Sequence, residues 1–353
     1  MVKKWKYLYI NKKIILNMVK NDLLFIKSEK ANMKIKDIAA ILQKSSQRLK
    51  YSLSVMERES ILHDPYCIFD YSYFGLILFR VYFKGAYIGE ADKARIIKQL
   101  VDNEYVTAIY ETSGEFELVV EIEAQNPSRF NKVLRRITNE IPTLRHYKVL
   151  LNIVTHLYPR YYLTENNAIS SLAQQQIIIG GDREVETFDE DEKVIMRNLL
   201  EDPTLRKTAL AKKSGMNIKT MKSALKSLEK RNIMKGLKYQ IGTEKLEIDN
   251  FRLYLNLHNL NAEREGELLK YLRETKEIIQ ANKTVGDWDL EIDIESNKTR
   301  IRKLIMEFRE MFKDIIENFN IMEFYECYKK TYLPKYYFEN LTNEKNRHQE
   351  KQV

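Results

Sequence analysis

The chain is poor in the residues that usually advertise chemistry. Only two cysteines, Cys67 and Cys327, occur in 353 residues. They are far apart and outside any metal-ligand spacing, which excludes a disulfide framework and a cysteine zinc site; both are read as reduced and structural. The five histidines are scattered with no pair at ligand spacing, so no metal site is expected. No apolar run approaches the roughly 20 residues that cross a bilayer. The opening residues lack the apolar core and cleavage site of a secretory signal, and a cytoplasmic, non-membrane protein is expected. Ser/His/Asp order, Walker pattern and Gly-x-Gly-x-x-Gly are missing too. No catalytic residue and no cofactor are therefore expected, and the chain is read as a non-enzyme.

What the chain has is charge, unevenly placed. The formal net charge is +9, and residues 206–238 hold eleven lysines and arginines against one acid, Glu229. Such a local excess suits a phosphate backbone. Two short helices read out of this stretch. The first, 207–214, stops at Gly215, and Asn217 is a good N-cap for the second. In the second, Ile218, Met221, Leu225 and Leu228 recur as one buried stripe. The arrangement is a helix-turn-helix, whose second helix lies in the DNA major groove. Phosphate contacts are assigned to Lys212, Lys213, Lys219, Lys222, Lys226 and Lys230. Base reading falls to Lys219, Thr220, Lys222 and Ser223 near the helix start, beside Asn217. Residues 237–242 read as a wing.

An internal repeat runs through the chain at an offset of 172 residues. Ile38-Ala39 answers Leu210-Ala211; Leu49, Leu53 and Met56 answer Met221, Leu225 and Leu228; Gly114 to Leu118 answers Gly286 to Leu290. One register held across separate motifs means a tandem duplication. The first copy's recognition-helix equivalent exposes Gln47, Arg48, Lys50 and Tyr51, with fewer cations, and Gln43 replaces the turn glycine. Either this head binds DNA more weakly or it has become a packing element.

After each head the pattern is βαββαβ, the order of a ferredoxin-like sheet with both helices on one face. The fold class is thus α+β, two repeats of a winged helix-turn-helix followed by a βαββαβ domain. Residues 1–74 form the divergent first head, 75–163 the first sheet domain and 164–187 a polar linker. Residues 188–245 form the basic second head, 246–340 the second sheet domain and 341–353 a disordered tail. Alternation puts Phe251, Leu253, Leu255 and Leu257 toward the helices and Arg252 and Tyr254 on the other face, beside Glu291, Asp293 and Glu295. The first copy offers Arg80, Tyr82 and Lys148 with Glu117 and Glu121 on its matching face. These faces are either solvated or meet across a pseudo-two-fold axis.

Winged helix followed by βαββαβ resembles the Lrp/AsnC (feast/famine) family of transcription regulators. The resemblance rests on Leu199-Leu200-Glu201-Asp202, Leu210-Ala211, Gly215-Met216, Leu228-Glu229 and Ile233 in the second head, and on the Gly-x-x-Asp hairpins at Gly286 and Gly114. Ser113 and Val285 stand where the family has Thr, Glu117 where it has Asp, and Asn232 where it often has Gly. The resemblance implies a regulator that binds double-stranded DNA and pairs its sheet domains, here as an intramolecular pseudo-dimer with a further homodimer left open. It also implies a small effector such as an amino acid near Gly114, Glu117, Gly286 and Asp289, although turn geometry alone accounts for the two glycines. Two alternatives stand beside this reading: a non-DNA-binding partner that co-assembles with a related protein, and an enzyme like the sirohaem decarboxylases, which look like paired modules of this kind.

Overall fold

The computed structural model describes residues 21–338. Part of the expected first head and the whole of the expected tail lie outside these residues. Helical residues 21–29 (α1), α2 (Ile35–Leu42) and α3 (Ser46–Arg58) build the first head. Leu49, Leu53 and Met56 are buried on one face of α3, and Ser45 caps it by accepting from Arg48 N. Where the second head has Gly215 at φ +68°, the first has Gln43 at φ +51°. The left-handed turn survives the loss of its glycine.

Strand β1 (Leu62–Phe69) follows, a short element that the sequence reading passed over. The first sheet domain comprises β2 (Ile77–Lys84), α4 (Glu90–Asp102), β3 (Val106–Thr112), β4 (Leu118–Ala124), α5 (Pro127–Glu140) and β5 (His146–Leu157). Residues 164–187, expected as linker, contain a one-turn helix, α6 (Asn167–Ser170), and strand β6 (Ile177–Gly180). The second head is α7 (Glu190–Glu201), α8 (Lys207–Lys213) and α9 (Ile218–Lys230), followed by β7 (Met234–Ile241). The second sheet domain repeats the first as β8 (Asp249–Leu257), α10 (Ala262–Glu274), β9 (Ile278–Val285), β10 (Leu290–Ser296), α11 (Lys298–Met311) and β11 (Ile316–Lys330). The chain is an α+β tandem duplication, as its sequence repeat requires.

The two copies are knitted together rather than strung apart. β7, which holds most of the wing expected at 237–242, pairs antiparallel with β1 of the other copy, Leu62 opposite Ile241 and Phe69 opposite Met234. A lone strand cannot satisfy its own backbone, and the duplicated partner completes it. The ribbon also exchanges core residues: Ile241 is buried in the first head's cluster, while Ile68 and Phe69 join the cluster that holds Met221 and Leu228 of the second.

The sheets close on each other. β5 pairs with its own β2 and then with β9 of the second copy, while β11 pairs with its own β8 and then with β3 of the first. The order β2-β4-β3-β11-β8-β10-β9-β5 therefore returns to β2, a closed ring of eight antiparallel strands. A ring of this size has an interior that side chains can fill. Leu253, Leu255, Leu290, Ile292 and Ile294 point outward to α10 and α11, as the alternation requires.

A polar barrel interior, a basic helix face and one large cavity

The inward faces of the two sheets are the polar ones, and they meet instead of facing water. Arg80 donates through Nε and Nη2 to Glu121 Oε1 at 2.9 and 2.7 Å, and through Nη1 to Glu291 of the other copy. Tyr82 donates to the same Glu291 carboxylate. Arg252 holds Asp293 at 2.5 and 2.9 Å and donates to Tyr82 Oη at 3.2 Å. Nearer the rim, Lys148 of the first copy reaches Asp287 of the second at 2.7 Å. Arg80 is 1% exposed and Glu291 0%. Burial opposes the charge of Arg80, but Glu291 and Glu121 hold its pKa above the ordinary arginine value. A buried pair is kept ionised only by partners of this kind.

The predicted DNA-facing residues lie on open surface. On α9 Lys219, Lys222, Ser223, Lys226 and Lys230 are exposed and Thr220 partly so. The side chain of exposed Asn217 caps the helix by accepting from Thr220 N at 2.9 Å. Residues 219 to 230 span about 16 Å of helix at 1.5 Å per residue. Lys212 is exposed as well, whereas Lys213 reaches Glu201 at 2.7 Å. Among the described residues Lys212, Lys219, Lys222, Lys226 and Lys230 have no ion-pair partner. In the first head Gln47, Arg48 and Lys50 are exposed, with Tyr51 70% exposed beside them.

The hairpin residues are engaged in the fold. Glu117 accepts from Ala86 N at 2.7 Å, and its counterpart Asp289 from Leu257 N at 2.8 Å. Gly114 sits at φ +102° in open space. Gly286, at φ +143°, lies so close to β5 that a Cβ would meet Leu150 Cδ2 at 2.6 Å. The void between the hairpins, lined by Trp288, Asp287, Phe116 and Tyr254, measures about 10 Å³, room for about one water.

A cavity of about 890 Å³ opens between the β1–β7 ribbon and the barrel rim. It is walled by β11 from Glu323 to Lys330, by the start of β8, and by Arg160 and Glu295. Its arginines are already engaged: Arg160 donates to Glu295 at 2.8 and 3.1 Å, and Arg252 to Asp293. Lys329 donates to the carbonyls of Val101 and Asn103, and burial lowers its pKa to about 8. Lys330 lies over the ring of Tyr66. The rim adds the carboxylates of Asp64, Glu244 and Asp249. Sequence reading missed this space because it is bounded by β1 and the far end of β11; the apolar run Tyr66-Cys67-Ile68-Phe69 was the available signal for β1.

No protein-family model matches the chain, and no curated protein matches it. Solved structures do. A crystal structure of the siroheme decarboxylase NirDL matches 93% of this chain and 99% of its own at 14% identity, with a TM-score of 0.55. The same protein in complex with an iron-uroporphyrin III analogue matches 91% and 98%, at 0.54. The AsnC structure from E. coli matches 39% of this chain and 92% of its own, at 16% identity and a TM-score of 0.33. The long matches establish a shared fold over nearly the whole chain. They also overturn the expectation that the chain is not an enzyme: the fold that it shares from end to end is one on which an enzyme is built.

Proposed function

We propose that this chain is a sequence-specific, double-stranded DNA-binding transcription regulator of Lrp/AsnC type, with the second head as its main reader. The observation that supports this reading is the unpaired lysine face of α9. Four exposed ammonium groups at 219, 222, 226 and 230 stand on a capped helix preceded by a left-handed glycine turn. Lysines with no carboxylate to answer them are free to displace counterions from a phosphate backbone. Lys219, Thr220, Lys222 and Ser223 near the helix start reach the base edges, and Lys212, Lys219, Lys222, Lys226 and Lys230 contact the phosphates. The first head, with Arg48 and Lys50, adds fewer contacts, so the preferred site is asymmetric.

A second reading, a tetrapyrrole enzyme, is favoured by the likeness to NirDL. The charge of the large cavity speaks against a polycarboxylate macrocycle there. Its arginines are held by Glu295 and Asp293, and five further carboxylates, Asp64, Glu244, Asp249, Glu323 and Glu326, line it. Duplex-DNA binding across a salt series separates the readings. The intact chain is expected to lose affinity steeply with salt. Lys219→Glu/Lys222→Glu/Lys226→Glu should lose at least tenfold and reduce the log–log salt slope by about 3, near 0.9 per phosphate contact. A chain that ignores DNA at low salt while shifting the absorbance of iron-uroporphyrin III would reverse the assignment.

A further inference from the structure

The barrel has two places where a strand edge runs past its intramolecular partner, and the described residues fill only one of them. On β5, residues up to Asn152 pair with β2, and beyond them, on the same side, Val154–Leu157 pair with β6. On β11, residues up to Phe324 pair with β8 on one side, while β3 takes the other. Past Phe324 the β8 side of β11 has no strand among the described residues. That bare edge, residues 325–330, is the wall of the 890 Å³ cavity. The correspondence extends to the ribbon: Ile177 of β6 lies against Gly236 of β7, and the residue 172 positions earlier, Asp64, lines the cavity.

We infer that the edge of β11 at residues 325–330 is a docking site for an extended, basic peptide segment, which would add a strand there as β6 does on β5. The filled half of the molecule shows the shape of the occupant, a stretch of about four residues in β conformation. Backbone amides and carbonyls on an open edge supply the affinity in this mode, and the surrounding side chains supply the selection. Selection here is by charge. Asp64, Glu244 and Asp249 stand around the space with no ion-pair partner among the described residues. Lys329 and Lys330, the lysines of the same wall, are spent on backbone carbonyls and on the Tyr66 ring. A cavity of this size lies within the range of about 300–1,000 Å³ typical of ligand sites.

The probe is a fluorescein-labelled, amidated Lys-Ile-Ile-Ile-Gly-Lys peptide, the β6 sequence flanked by lysines, titrated with the full chain by fluorescence anisotropy. Three results together are expected: saturable binding, at least tenfold weakening by Asp64→Lys/Glu244→Lys, and loss of binding when alternate amides of the peptide are N-methylated. Far-UV circular dichroism checks that the charge variant is folded; both residues are exposed, so their replacement leaves the core intact. Binding that survives N-methylation would reduce the site to a charged patch and overturn the strand assignment. No saturation at millimolar peptide would overturn the site itself. Iron-uroporphyrin III that binds and displaces the peptide in both wild type and the charge variant would assign the space to another ligand.

Discussion

Glu123 sits in an environment at odds with its chemistry. It is 2% exposed, and its Oε2 has no hydrogen-bond partner among the described residues. Burial first, then the nearby charges of Glu121 and Asp70, push its pKa well above the ordinary value of 4.5. Tyr71 and Tyr336, also close, have their own phenols raised by burial. A carboxyl whose folded-state pKa is raised is neutral in the folded protein at pH values where the unfolded chain has already ionised. Its contribution to stability is therefore fully present below about pH 4.5 and drains away above it, by up to about 1.4 kcal/mol per pH unit until the folded-state value is reached. Glu123→Gln removes this drain. Urea midpoints measured from pH 4 to 9 should show variant and parent close together at pH 4 and the variant gaining on the parent as pH rises. A constant difference across that range would mean that Glu123 is already charged in the folded protein. The neighbouring carboxylate is fully partnered. Glu291 accepts from Arg80 and from the Tyr82 hydroxyl, and at the 172-residue offset the first copy has Val119 in its place. One carboxylate serves both copies.

Strand β6 lies inside the stretch expected as linker, where the apolar run 177–179 could be seen but its conformation could not. Four residues of apolar character inside a polar stretch have no partner in sequence; only the far end of β5 makes them a strand. Gly180 is what lets them stay there. Its φ is +85°, and a Cβ would meet Tyr71 Oη at 2.7 Å and Ile153 O at 2.8 Å, while its N–H donates to Asp70 at 2.8 Å. Gly180→Ala should cost about 1–3 kcal/mol from the left-handed backbone alone, and more from the contact. Hydrogen exchange at residues 177–180 should speed up in that variant while α9 amides stay unchanged; unaltered protection in β6 would show that the glycine is not its anchor. The same comparison explains what could be read beforehand. The paired βαββαβ units were legible because period-2 and period-3.6 patterns are local and repeated twice. Helix α9 was legible because its cap Asn217 and its buried stripe Met221, Leu225 and Leu228 lie within one local stretch. β1 and the cavity were not, because β1 becomes a strand only against β7, far along the chain, and a wall made by two distant strands leaves no periodicity. The opposed charges of Arg80, Arg252, Glu121 and Asp293 were visible as faces, but their meeting depends on closure of the ring.

At the scale of the whole molecule, duplication turns two open sheets into one closed one, and each half is incomplete without the other. Residues 1–163 alone would leave β5 without β9 and β3 without β11, exposing strand edges that template association. They would also leave β1 without β7, and Arg80 and Tyr82 without Glu291. Two first halves joined together would still lack Glu291, because Val119 occupies its place. Two second halves would bring two Glu291 carboxylates to one centre, a repulsion in a desolvated site. Only the mixed pair has one shared carboxylate for the Arg80 and Tyr82 donors. The expected outcome of expressing residues 1–163 and 164–353 separately is therefore self-association or aggregation of each. Co-expression should give a soluble one-to-one complex whose urea midpoint exceeds that of either half. Light scattering after size exclusion checks the stoichiometry. A first half that runs as a stable monomer with an unchanged midpoint would show that the ring is a contact between finished domains, and that the interior network contributes little to folding.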